Sequence, residues 1–68
     1  MADLILKGVK MFRVIVHSYG NRVREINHVY LMETNDIQKK IYLHIENRDY
    51  FDPIVIDLKK CKYISVVG

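Results

Sequence analysis

Sixty-eight residues, half of them apolar, make one domain, and a chain this short buries only about 60% of the surface its unfolded form exposes. Eleven Lys and Arg against eight Asp and Glu leave a formal charge of +3, spread over every segment and too mild to mark a nucleic-acid binder by itself. The single cysteine, Cys61, excludes an intramolecular disulfide framework, and the early apolar cluster Leu4, Ile5 and Leu6 is too short for a membrane span or a signal-peptide core, which points to a soluble cytoplasmic protein.

Residues 1–10 read either as a short extra strand bent at Gly8 or as an arm over the core. From Met11 to His17 apolar and polar residues alternate, so Phe12, Val14 and Val16 are expected to point inward. Ser18, Tyr19, Gly20 and Asn21 supply a hairpin turn, because Gly and Asn tolerate positive φ. The next run, Val23 to Glu33, changes parity between Val23 and Ile26, which predicts a bulge or bend near Arg24 to Asn27. Beyond it Val29 and Leu31 are expected inside, with Tyr30 and Met32 outside.

Thr34, Asn35 and Asp36 form the following turn, and Ile41, Leu43 and Ile45 make the inward row of a third strand with Tyr42, His44 and Glu46 outward. A helix over 36–46 capped by Asp36 competes, but the strict alternation of Ile, Tyr, Leu, His and Ile favours the strand. Residues 47–53 cross to a fourth strand whose inward row is Ile54, Ile56 and Leu58. One tight turn through Lys59 and Lys60 then leads to a last strand, Lys62 to Val67. Connections this short predict pairing between chain neighbours only.

Five short, bent strands predict an all-β domain, an antiparallel meander curled into a partly open barrel of the SH3-like or Sm-like sort. The alternative is an open antiparallel sheet that dimerises through one face. The apolar surplus of so small a body in either case predicts a homo-oligomer.

Catalytic and metal chemistry find little support in the sequence. His17, His28 and His44 fall on different strands and form no local ligand pair, so no metal site is expected. Cys61, between Lys60 and Lys62, reads as a small buried hydrophobe beside a basic turn, and Asp49, Asp52 and Asp57 read as turn and edge residues. The three dispersed glycines build no phosphate loop. The expectation is a protein without cofactor or enzymatic activity.

Two binding surfaces remain. Tyr30, Met32, Tyr42, His44 and Tyr63 on the outward rows predict a contact face for another protein or a second copy, as in an adaptor or inhibitor of the kind phages and mobile elements often encode. Arg13, Arg22, Arg24, Lys39, Lys40, Lys59 and Lys60 predict, as the alternative, nucleic-acid binding of the Sm-like or OB-like type. In a simple meander Arg22 and Arg24 would sit with Arg48 at one end, and Lys39, Lys40 and Lys59 to Lys62 at the other.

Overall fold

The computed structural model describes residues 10–68, so the arm or extra strand expected over residues 1–10 lies outside the described residues apart from Lys10. The elements are β1 (Phe12–Ser18), β2 (Arg22–Asn35), β3 (Lys40–Ile45), β4 (Ile54–Asp57), a 3₁₀ turn (Leu58–Lys60) and β5 (Cys61–Val67). They form a single five-stranded sheet in the order β4-β3-β2-β1-β5, with every pair antiparallel.

The expectation of neighbour-only pairing fails at one connection. β5 leaves β4 and crosses to pair with β1, placing Val16 opposite Ile64 and His17 opposite Tyr63. A tight β4–β5 hairpin would need Gly or Asn at positive φ, and Leu58, Lys59 and Lys60 offer neither. Instead the Asp57 carboxylate accepts the Lys59 N–H at 3.0 Å and caps a single helical turn. The Leu58 N–H donates to the Lys39 carbonyl at 2.9 Å, which ties that turn to the start of β3. β4 and β5 are thus the two edges of the sheet, which is not closed into a barrel.

The other turns follow from side-chain chemistry. Gly20 (φ 81°) and Asn21 (φ 61°) close the β1–β2 hairpin in the left-handed region, where these residue types cost least. Between β2 and β3 the Asn35 side-chain oxygen accepts the N–H groups of Ile37 and Gln38 at 3.1 and 3.0 Å. Asn35, not Asp36, organises that turn, and it feeds strand β3 where a helix over 36–46 had competed.

β2 is long enough to serve both neighbours because it is bulged twice. Its pairing with β1 shifts between Ile26 and Val29, where His28 takes φ 61°, so the predicted bulge lies at its far edge. Its pairing with β3 shifts again at Tyr30, between Val29 and Leu31. This second bulge reverses the expected parity: Met32 packs against the core, while Leu31 joins the outer row. Val14, Val16, Ile26, Val29, Ile41, Leu43, Ile56 and Cys61 fill the interior, with Phe12, Ile45, Ile54, Leu58 and Ile64 at its margins.

Candidate functional site

The β5–β1 pairing decides which surface side chains meet. Ser18 faces Arg22 across the hairpin and Cys61 across the β5 junction, so the end of β1 lies between the basic start of β2 and the basic start of β5. The register slips by one residue here, leaving Lys62 as the extra residue between the paired Cys61 and Tyr63. A bulge re-aims the side chain it carries, and Lys62 lines the same surface hollow as Tyr63.

That hollow, about 150 Å³, is bounded by His17, Asn21, Arg22, Lys62 and Tyr63. The rings of His17 and Tyr63 stack within it, 4.1 Å between centroids and 16° apart in plane. Ser65 Oγ lies 3.4 Å from His17 Nε2 and holds the imidazole from the β5 side. Tyr63 nevertheless remains 54% exposed, so only part of its surface is covered by the stack.

A neighbouring hollow of about 250 Å³ contains Arg24 and Lys60, with Val16, Ile56 and Cys61 beneath them. Ser18 borders both hollows. Asp57 is the acidic side chain in this second hollow, and its carboxylate already accepts the Lys59 N–H. Arg22, Arg24, Lys60 and Lys62 take part in none of the ion pairs among the described residues. Lys40 pairs in register with Asp57, and the Lys39 carbonyl accepts the Leu58 N–H, while Lys39, Lys40 and Lys59 line neither hollow.

The distribution of charge differs from the simple meander. Arg22 and Arg24 gather with Lys60 and Lys62, not with Arg48, because β5 docks on β1. Arg48 is paired instead with Asp52 at 3.1 Å, and Arg13 with Glu25 at 3.5 Å on the outer face.

The outward aromatic set is divided. Tyr30 and His44 approach to 6.2 Å between ring centroids, whereas Met32 has turned inward and Tyr63 lies on the other half of the sheet. Tyr42 stays on the outer row, its hydroxyl donating to Gln38 Oε1 at 3.4 Å. His44 also faces outward, yet only 4% of it is exposed, because Tyr50 stacks on its ring at 4.5 Å and 15°. Its Nε2 sits 2.6 Å from Glu33 Oε1, while Nδ1 is buried without a hydrogen-bond partner. Phe51 meets Tyr50 edge-on at 5.2 Å and extends this cover.

Cys61 is buried, with its thiol 3.7 Å from the Leu58 carbonyl, and faces the core. Among the described residues no three His, Cys, Asp or Glu side chains are grouped to hold a metal ion, and no helix is long and apolar enough to cross a membrane. His17 and Asn21 are the members of this site that the sequence did not point to, and the grouping of Lys62 and Tyr63 with Arg22 follows from the β5–β1 pairing. No protein-family model matches the chain, and no match is found among curated proteins or solved structures.

Proposed function

We propose that this protein is a non-catalytic nucleic-acid-binding module whose docking surface is the basic end formed by the β1–β2 hairpin, the 3₁₀ turn and the start of β5. The observation that carries the reading is the set of four cations at this end of the sheet that take part in no ion pair among the described residues: Arg22 and Lys62 line the hollow of the exposed, stacked His17–Tyr63 pair, and Arg24 and Lys60 line the adjoining hollow. Cations so placed neutralise phosphates and release counterions, and the aromatic pair beside Arg22 and Lys62 offers bases a surface. We read the scaffold as a small barrel of the SH3-like or Sm-like sort left open between β4 and β5, because the curl of β2 brings β4 across the second hollow from β1. A reducing compartment such as the cytoplasm suits both the buried free thiol of Cys61 and this class of partner.

The test is a salt titration of binding to labelled oligonucleotides by fluorescence anisotropy. Four phosphate contacts give a slope of log affinity against log salt of about −3 on single strands. Arg22→Gln, Arg24→Gln, Lys60→Gln and Lys62→Gln should each reduce that slope by about 0.7. No retention of any oligonucleotide at low salt overturns the reading.

A second reading, protein contact, is favoured by a different observation. Leu31, Tyr42 and Val55 share the outer row of β2, β3 and β4, Ile37 and Phe51 are 95% and 89% exposed, and β4 is an edge strand among the described residues. Self-association through this half would raise the solution mass above one chain, and Val55→Lys with Tyr42→Lys would return it to one. A single-chain mass for the wild type at high concentration removes self-association.

A further inference from the structure

We propose that the hollow beside Tyr63 is a base-stacking site and that the protein therefore selects single strands over duplexes; this rests on the nucleic-acid reading above and names the form of the ligand. Three features of the hollow carry the inference.

The first is a ring that is both open and fixed. His17 covers one face of Tyr63 at 4.1 Å, and β-pairing of these two residues sets the ring's position, yet 54% of Tyr63 stays exposed. A platform already ordered in the free protein loses little conformational entropy when a base lands on it. The second is the placement of charge. Arg22 comes from the hairpin on one side and Lys62 from the β5 bulge on the other, so phosphates flanking a stacked base meet a cation in either direction. The third is Asn21, held at φ 61° in the turn and lining the same hollow. Its amide presents both donors and an acceptor, which suits a base edge of any identity.

A duplex keeps its bases stacked on each other and offers this site only its phosphates. A single strand offers both base faces and phosphates, and stacking tolerates every base because each has a π-face. The site is thus expected to take single-stranded polynucleotide with weak sequence preference.

The experiment compares wild type, Tyr63→Leu and Tyr63→Phe on labelled oligo(dT), labelled oligo(U), a DNA duplex of equal length, and heparin. The wild type should prefer one or both single strands over the duplex, and the tighter of the two identifies DNA or RNA as the favoured source. Tyr63→Leu should lose about 5- to 100-fold in single-strand affinity, the loss of one stacked base, with duplex and heparin binding unchanged. Tyr63→Phe should keep wild-type affinity, and the His17 imidazole signals in the wild-type NMR spectrum should shift on adding the oligonucleotide. Equal loss on duplex and single strand in Tyr63→Leu, or no loss at all, overturns base stacking while leaving phosphate binding in place. Failure of the wild type to bind any of the four probes at low salt overturns the stacking site and the underlying reading together. Should Tyr63→Leu fail to fold, unmoved His17 signals on titration of the wild type or of Tyr63→Phe suffice to overturn the stacking site.

Discussion

The molecule uses the same pair of rings twice, to opposite effect. On the β5–β1 half, His17 and Tyr63 stack at 4.1 Å in the open, among cations. On the β2–β3 half, His44 and Tyr50 stack at 4.5 Å with nearly the same tilt, but the imidazole is covered and bonded to Glu33. Stacking geometry alone therefore does not separate a binding platform from a structural plug. The surroundings do: one pair leaves a ring accessible beside Arg22 and Lys62, whereas the other hides a polar ring whose Nδ1 finds no partner. A buried, half-satisfied histidine costs stability, and its carboxylate partner limits that cost.

The largest effect should come from the core that both halves share. Leu43→Ala removes a fully buried side chain and should cost about 2–5 kcal/mol. A domain of this length has a total stability of only about 3–10 kcal/mol, so loss of cooperative unfolding and of both stacks is expected together. Survival of either stack in the NMR spectrum of an otherwise unfolded Leu43→Ala chain would break the picture of one shared interior.

The next effect separates the halves. Glu33→Ala deprives His44 of its remaining hydrogen bond and should destabilise by about 1–2 kcal/mol in denaturant melts, without altering oligonucleotide binding. His44→Phe keeps the ring against Tyr50, removes the orphaned Nδ1 and should be close to neutral. Adding Glu33→Ala to His44→Phe should then cost almost nothing, since the coupling runs through one contact. An equal cost of Glu33→Ala in both backgrounds would show that His44 is not what Glu33 supports.

Much of this architecture is legible in the sequence, and the gaps have physical causes. The alternation of Phe12, Val14 and Val16, and of Ile41, Leu43 and Ile45, identifies strands and inward rows because Arg13, Tyr42 and His44 stand between the apolar positions, with Ile15 the one apolar residue that interrupts the pattern. Parity fails over Val29, Tyr30, Leu31 and Met32, where four apolar residues in a row conceal the second bulge. The three-residue spacing from Leu58 to Cys61 is the period of the 3₁₀ turn that sends β5 away from β4, and that from Cys61 to Ile64 comes from the bulge at Lys62, which keeps both side chains against the core. Which strand then receives β5 depends on contacts some 45 residues apart along the chain, as between His17 and Tyr63, and no local pattern carries that information. The basic site was hidden for the same reason: its cations were visible, but their meeting follows from the β5–β1 pairing.

The smallest effect concerns the hinge between the two halves. His28 adopts φ 61° in the first bulge of β2, is exposed, and uses its carbonyl to accept the Glu46 N–H at 3.1 Å. The left-handed conformation costs an L-residue about 1–2 kcal/mol, and glycine avoids most of it, so His28→Gly should be neutral or stabilising by about 0.5–1 kcal/mol. His28→Val, β-branched and unable to adopt that conformation cheaply, should destabilise by about 1–2 kcal/mol. Because the backbone carbonyl is kept in both variants, the difference between them reads the bend and not a lost hydrogen bond. If the bend is what turns β2 from β1 toward β3, amide exchange in His28→Val should rise on both sides of the bulge, at Ile26 and at Ile45, while the His17–Tyr63 stack at the far end of β1 keeps its protection. Equal stability of the glycine and valine variants would mean that the two halves are joined without strain at this residue, and that the second bulge at Tyr30 sets the turn between them.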